Sequence, residues 1–267
     1  MATASAASTS FRSGWVVPAE RWWEGYFDET FIDLYRDFLT PERTAREVAG
    51  IREMVPLEPG AEILDVACGW GRHSIALAEA GFRVMGMDLS EPLLRHARAR
   101  AERARVTVNW LRADMREIPF RGRFDAVLSL FSSLGYFLSD EEDLRVLRGA
   151  HDALRPGGFF VLETMHRDHA VGGYTERDWW EAEDGTTVWV EREFDAVDGV
   201  SREWTRWRRG GKSGEKFHEL RIRSATEWAV LLREAGLTPI EWYGDWELAP
   251  FVHTSEDLIC IARRSTR

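Results

Sequence analysis

The stretch Ile63-Leu64-Asp65-Val66-Ala67-Cys68-Gly69-Trp70-Gly71-Arg72-His73-Ser74 decides the fold. Its apolar beginning follows the turn signal Pro59-Gly60 and predicts a buried parallel strand over 63–66. A glycine-spaced turn comes next, and residues 74–80 predict a helix that ends before Gly81. Because glycines let the backbone approach a ligand and a helix start offers free N–H groups, this corner predicts a nucleotide-type binding site.

The following predicted strand supplies an acid that strengthens this interpretation. Residues 82–87 form a mostly apolar run that ends at Asp88, 19 positions after Gly69. A carboxylate in this place can accept hydrogen bonds from the hydroxyl groups of a ribose. Together the two motifs fit two kinds of ligand, dinucleotides and S-adenosylmethionine.

Details of the turn distinguish between these two ligands. The dinucleotide fingerprint G-x-G-x-x-G requires a third glycine, but this chain has Ser74 there. Asp65 ends the first strand and is placed to hold an ammonium group, which a pyrophosphate ligand lacks. At these residues the chain resembles the class I S-adenosylmethionine-dependent methyltransferases of small molecules. Their first motif, D/E-x-G-x-G-x-G, is matched by residues 65–71 with Ala67 in place of the first glycine.

The resemblance extends over about residues 60–165. The start of the fourth predicted strand, Phe124-Asp125-Ala126-Val127, is typical of this family, and so is the turn Leu154-Arg155-Pro156-Gly157-Gly158 before the fifth. We therefore expect a doubly wound, mostly parallel seven-stranded sheet with the Rossmann-like methyltransferase fold. The final two strands, 237–243 and 257–263, are expected to form the reversed hairpin of the family.

The rest of the chain predicts additions to this α/β core. Residues 1–14 are expected to form a disordered tail without a secretory signal, and residues 15–55 an N-terminal helical lid. The cofactor-binding domain is assigned to 56–165 and 224–267. Residues 166–223 alternate in polarity and contain the hairpin signal Asp198-Gly199, so they predict an inserted antiparallel β meander that covers the acceptor site.

The resemblance implies a set of cofactor-binding residues around the strand ends. Asp114 matches the acid that hydrogen-bonds the adenine amino group, although capping a helix is an alternative role for it. Tyr26 of the lid is expected near the methionine end of the cofactor. The complete predicted set is Tyr26, Asp65, Ala67, Cys68, Gly69, Gly71, His73, Asp88, Leu89, Asp114, Met115 and Phe131. The sequence predicts no metal cluster.

Methyl transfer from a sulfonium is an in-line displacement, so proximity and alignment supply most of the rate enhancement. An acceptor that carries a proton can require a base, and histidine suits that role near neutral pH. His166, just past the fifth strand, is the first candidate, and His253 is a second. Tyr136 is expected to orient the acceptor. For each of these three residues a structural role is the alternative.

Composition narrows the classes of partner. The chain has 267 residues and a net charge of −10, from 45 acids and 35 bases, which disfavours nucleic acid and anionic membranes. Two cysteines cannot form a disulfide framework, and no run approaches the roughly 20 apolar residues of a membrane span. We expect a cytoplasmic protein, with a homodimer left open.

These patterns predict an S-adenosylmethionine-dependent methyltransferase that acts on an oxygen or nitrogen atom of a small molecule. A tRNA or protein methyltransferase is the nearest alternative. A nicotinamide-dependent oxidoreductase and a non-catalytic ligand-binding protein are alternatives of another class.

Overall fold

The computed structural model describes residues 21–266, so the predicted tail 1–14 and the first residues of the predicted lid lie outside the described residues. The helices are α1 Trp23–Tyr26, α2 Glu29–Tyr35, α3 Pro41–Met54, α4 Arg72–Glu79, α5 Glu91–Ala104, α6 Asp140–Ala153, α7 Arg167–Gly172 and α8 Ala225–Glu234. The strands are β1 Glu62–Val66, β2 Arg83–Asp88, β3 Val108–Arg112, β4 Phe124–Ser129, β5 Leu154–Met165, β6 Arg177–Glu181, β7 Thr187–Asp195, β8 Val200–Arg209, β9 Lys212–Arg221, β10 Leu237–Tyr243 and β11 Asp257–Arg264.

The predicted seven-stranded sheet is confirmed. Its strands lie in the order β10-β11-β5-β4-β1-β2-β3. The first five strands pair with one another in parallel, as β1–β2, β1–β4, β2–β3 and β4–β5. β11 pairs antiparallel with both β5 and β10. The last two strands therefore form the expected reversed hairpin. The order of strands reverses between β1 and β4, which places a crevice at their carboxyl ends.

Both faces of this sheet are buried, as the apolar runs of its strands predict. Ile63 and Leu64 are both fully buried, yet they belong to separate apolar clusters because successive side chains of a strand point to opposite faces. α6 and α8 cover the face of Leu64, and α3 and α4 cover the face of Ile63. Two packed faces fix the sheet, and with it the positions of the loops at its carboxyl edge.

The inserted segment forms a separate antiparallel sheet of four strands, in the order β6-β7-β8-β9. The meander prediction found three of them and missed β6, whose sequence Arg177-Asp178-Trp179-Trp180-Glu181 does not alternate in polarity. This sheet packs on the lid helices. Lys216 Nζ donates hydrogen bonds to the Tyr26 carbonyl oxygen at 2.6 Å and to Asp28 at 2.8 Å.

No helix in residues 21–266 has the length and apolar character that crossing a membrane requires.

Candidate functional site

A cavity of about 520 Å³ lies at the carboxyl ends of β1, β2, β3 and β4. Its size suits a nucleotide-sized ligand. Predicted residues that line it are Asp65, Ala67, Cys68, Gly69, His73, Asp88, Leu89, Asp114, Met115, Phe131 and Tyr136. Of the other predicted residues, Gly71, Tyr26, His166 and His253 do not line it, and neither does any described residue of the insert 166–223.

The turn after β1 adopts backbone angles that favour glycine. Ala67, Gly69 and Gly71 have φ values of 55°, 56° and 72°. A Cβ atom on Gly71 would lie 2.4 Å from Cη2 of Trp110, so this glycine lets α4 pack closely on β3. Gly71 therefore affects the site through the packing of α4 and does not line the cavity. Ala67 shows that an L-residue can occupy the first glycine position of the turn.

Asp88 joins the turn to the end of β2. Its Oδ2 accepts a hydrogen bond from the Gly69 backbone nitrogen at 2.7 Å, and its Oδ1 accepts one from the Ser90 nitrogen at 2.7 Å. Burial raises the pKa of Asp88, and these backbone hydrogen bonds oppose the shift. Because a carboxylate oxygen has two acceptor positions, each can still accept a ligand hydroxyl.

Asp65 lies at the floor of the cavity and is 1% exposed. The Ser74 hydroxyl donates to its Oδ2 at 2.5 Å. Burial raises the pKa of Asp65 to about 6, against the opposing effects of Ser74 and of the Arg72 charge. A buried carboxylate of this kind gains stability from a cationic ligand group.

Asp114 lies at the cavity and also caps a short helical turn. It lines the cavity, and its Oδ1 caps the short 3-10 turn Met115–Glu117 by accepting from the Arg116 nitrogen at 2.9 Å. The Arg116 guanidinium also forms an ion pair with Asp114 at 2.6 Å. Burial raises the pKa of Asp114, but the Arg116 hydrogen bonds outweigh it and the net shift is downward.

The lid contributes aromatic residues to the cavity, but Tyr26 is not among them. Tyr26 is buried against Trp22, and its hydroxyl lies 3.0 Å from that of Tyr35. Trp23 and Phe27 line the cavity instead. Residues four apart lie on the same face of a helix. Trp22 and Tyr26 therefore lie on one face of α1, and Trp23 and Phe27 lie on the adjacent face, which lines the cavity. The aromatic pattern selected Tyr26 as the cofactor-side residue, whereas the structure places Trp23 and Phe27 at the cavity.

The loop after β4 is held by a residue that the sequence did not single out. Phe131 has a φ of 55°, and its backbone nitrogen donates to the carboxylate of Glu163 on β5. Burial raises the pKa of Glu163 to about 7. The guanidinium groups of Arg43 and Arg72 lie 5.4 and 5.7 Å from the centroid of the Phe131 ring. In the sequence, the signal for this contact was Glu163, an acidic residue near the end of a predicted buried strand.

The two predicted histidine bases lie away from the cavity. His166 is 1% exposed, its Nδ1 lies 2.8 Å from the Ser255 carbonyl oxygen, and its ring packs on Phe251. His253 is exposed in the loop between β10 and β11. Neither comes together with Tyr136, because β5 turns His166 toward the β10–β11 loop. Their catalytic assignment gains no geometric support.

A buried charged cluster links the lid to the glycine turn. Glu47 of α3 is 1% exposed, and its carboxylate accepts hydrogen bonds from three side chains. The donors are Arg43 Nε at 2.8 Å, His73 Nε2 at 2.7 Å and Arg72 Nη1. Arg72 and His73 line the cavity. Burial raises the pKa of Glu47, but its His73 and Arg72 partners outweigh that and lower it overall. The sequence predicted His73 here, but neither Arg72 nor Glu47.

Comparison with known proteins agrees with this geometry. Residues 63–158 match the family model described as a methyltransferase domain. The chain is 31% identical, over 58% of its length and 59% of the relative, to a dTDP-3-amino-3,4,6-trideoxy-alpha-D-glucopyranose N,N-dimethyltransferase from Streptomyces venezuelae. The chain is therefore an S-adenosylmethionine-dependent methyltransferase.

Two solved structures share the fold of this methyltransferase. The CcbJ methyltransferase from Streptomyces caelestis has a TM-score of 0.77 at 21% identity, over 91% of this chain and 99% of that one. CalS10, an amino pentose methyltransferase from Micromonospora echinaspora solved with S-adenosylmethionine bound, has a TM-score of 0.68 at 24% identity, over 89% and 97%. The match of residues 63–158 to the methyltransferase model sets aside the nicotinamide-dependent alternative.

The cavity of the methyltransferase fits S-adenosylmethionine by the chemistry of its lining. Asp88 at the end of β2 can accept the ribose hydroxyls, and Asp65 offers a buried anion to the ammonium group. Within residues 21–266, Nη2 of the buried Arg72 has no hydrogen-bond partner, so one donor is available to a ligand acceptor. When bound, the cofactor would supply a methyl group already activated on a sulfonium, and these side chains would hold and orient it.

Proposed function

We propose that this methyltransferase transfers the methyl group to an amine nitrogen of a small molecule. The supporting observation is the aromatic enclosure of the cavity. Trp23, Phe27 and Phe31 of the lid line the cavity, and so do the loop residues Tyr136 and Phe137. An enclosed, aromatic cavity suits a small acceptor better than a folded RNA or protein.

The loop Phe131–Leu138 holds its aromatic rings in place through contacts with the lid. Tyr136 packs edge-to-face on Trp22, with 5.1 Å between ring centroids, and Phe137 packs similarly on Trp23 at 5.2 Å. Such contacts exclude water from the space above the strand ends. Excluding water favours direct attack by the acceptor and disfavours loss of the methyl group to solvent.

The state of the polar groups in the cavity favours an amine over a hydroxyl acceptor. Asp88 and Asp114 already accept hydrogen bonds from the chain, and His73 is bonded to Glu47. Burial raises the pKa of Tyr136, so its phenol keeps its proton and can donate but not remove one. A hydroxyl acceptor needs a base, whereas a neutral amine attacks with its own lone pair. The N,N-dimethyltransferase from Streptomyces venezuelae and CalS10 are likewise methyltransferases of amino sugars.

Paired acceptors test this proposal. The purified protein is incubated with S-adenosylmethionine and with pairs of sugars that differ at one carbon, such as 3-amino-3-deoxyglucose and glucose, free and nucleotide-linked. Mass spectrometry then measures the gain of a methyl group. We expect methylation of amine members alone. Methylation of the hydroxyl members, or of tRNA or protein in parallel reactions without any amine product, would contradict the proposal.

A further inference from the structure

The cavity contains a buried guanidinium group whose hydrogen bonding is incomplete. Arg72 begins α4 and is 6% exposed. Its Nη1 donates to the Glu47 carboxylate and to Thr44 Oγ1 at 3.3 Å, whereas Nη2 has no partner among the described residues. A buried donor without an acceptor costs free energy, because it has lost its hydrogen bonds to water. A ligand acceptor placed at Nη2 would recover that cost.

The charges around Arg72 show what kind of acceptor is missing. Two guanidinium groups, Arg43 and Arg72, share the single carboxylate of Glu47. His73 also contacts Glu47, but burial and then the Arg72 charge lower the pKa of His73 to about 4, so the imidazole is neutral near pH 7. Within this cluster the two guanidinium groups exceed the one carboxylate by one charge. The nearby acids Asp65, Glu163 and Asp257 offset this charge only in part, because burial raises the pKa of each. A ligand carboxylate at Nη2 would pair with the remaining charge.

A second charged group in the cavity complements the first. Asp65 lines the same cavity, and its pKa responds to the charge of Arg72, so the two side chains lie within electrostatic range. One is a buried anion and the other a buried cation. An α-amino acid carries an ammonium and a carboxylate on one carbon atom, and this pair of side chains matches that arrangement.

We infer that Arg72 binds the α-carboxylate of S-adenosylmethionine and that Glu47 is the positioning residue that aims it. Glu47 belongs to the lid helix α3, so it ties Nη1 to the lid and leaves Nη2 for the cavity. Recognition of the amino-acid end of the cofactor is then coupled to the docking of α3. The inference depends on the cofactor and not on the amine acceptor proposed above.

Calorimetry with three nucleosides tests the carboxylate site on the unmodified protein. S-adenosylhomocysteine has both the ammonium and the carboxylate, its decarboxylated form has the ammonium alone, and 5′-methylthioadenosine has neither. We expect decarboxylation to raise the dissociation constant about tenfold or more. Equal affinity for S-adenosylhomocysteine and its decarboxylated form would overturn the inference, whatever the acceptor is.

Variants then assign the effect to Arg72 and Glu47. Arg72→Gln should remove the preference for the carboxylate and leave the affinity for 5′-methylthioadenosine unchanged. Arg72→Lys should keep part of the preference for the carboxylate, because lysine retains the positive charge but lacks the planar guanidinium group. Glu47→Gln should weaken S-adenosylhomocysteine several-fold without affecting 5′-methylthioadenosine, and Glu53→Gln on the same helix is the matched control. Equal weakening of both ligands would indicate general damage to the cavity and would contradict the assignment.

Discussion

The backbone nitrogen of Gly69 donates a hydrogen bond to the Asp88 carboxylate across 2.7 Å, joining the turn after β1 to the end of β2. The second oxygen of Asp88 accepts from the Ser90 nitrogen, and the Ser90 hydroxyl donates to the Phe27 carbonyl oxygen at 2.5 Å. The acid that the sequence assigned to the ribose therefore also organises the glycine turn and, through Ser90, one residue of the lid. The predicted ribose contact and the shape of the site therefore depend on the same side chain.

Replacing Asp88 should weaken every ligand that contains the ribose. In Asp88→Ala the dissociation constants of S-adenosylhomocysteine and 5′-methylthioadenosine should both rise roughly 10- to 100-fold in calorimetric titration. Asp125→Ala is the matched control, because Asp125 accepts from the Glu62 nitrogen at 2.8 Å but does not line the cavity. That variant should keep its affinity. Unchanged affinity in Asp88→Ala would refute the ribose assignment.

Two glycines with similar backbone angles should respond differently to alanine. Gly60 and Gly71 have φ values of 80° and 72°, but a Cβ on Gly60 meets nothing within 4 Å, whereas one on Gly71 meets Trp110 at 2.4 Å. Gly60→Ala should cost about 1–2 kcal/mol of unfolding free energy from backbone strain alone. Gly71→Ala should cost a further ~1–3 kcal/mol from overpacking. Urea denaturation measures both, and equal losses would show that the contact with Trp110 is relieved by movement.

The sequence was sufficient for the features whose chemistry is local. The acid at Asp65, the turn Gly69–Gly71 and the acid at Asp88 each depend on residues within one strand–turn unit, so spacing alone located them.

The sequence does not show which face of a short aromatic helix points into the cavity. Trp22, Trp23, Tyr26 and Phe27 fit two faces equally well, and only packing against β9 and the loop after β4 decides between them.

Long-range pairing explains the other residues that the sequence missed. Glu47 looks like a solvent-facing acid of α3 until Arg72 and His73, 25 and 26 residues away, are placed beside it. His166 does follow β5 as predicted, but its direction is set by a carbonyl oxygen 89 residues later in the chain. Such contacts leave no local pattern, because each partner alone is an ordinary polar residue.

A buried ion pair beneath the loop after β4 should contribute strongly to stability. Asp143 and Arg223 are 0% and 2% exposed, and Asp143 Oδ2 lies 2.6 Å from Arg223 Nη1. Asp143→Ala leaves Arg223 buried with its charge only partly balanced, and should lower the free energy of unfolding by about 3–5 kcal/mol. Asp140 contacts the same arginine at 2.7 Å from an exposed position, so Asp140→Ala should cost ~1 kcal/mol or less. Denaturant titration of both variants checks this, and similar losses would mean that burial does not decide the strength of these pairs.

The cofactor's ammonium group should make binding depend on pH through Asp65. Burial raises the pKa of Asp65 to about 6 in the free protein, and an ammonium partner favours the ionised carboxylate, so binding lowers that pKa. The affinity for S-adenosylhomocysteine should therefore be highest above pH 7 and fall as the pH drops through 6, with release of a proton on binding.

Asp88 and Glu163 also have raised pKa values, so 5′-methylthioadenosine, which lacks the ammonium, measures the pH dependence that does not come from the ammonium contact. Calorimetry from pH 5.5 to 7.5 in buffers of different ionisation enthalpy measures both the affinity and the proton release. Asp65→Asn should bind weakly at every pH and lose the difference between the two ligands. A flat affinity for S-adenosylhomocysteine in the unmodified protein would show that Asp65 does not hold the ammonium group.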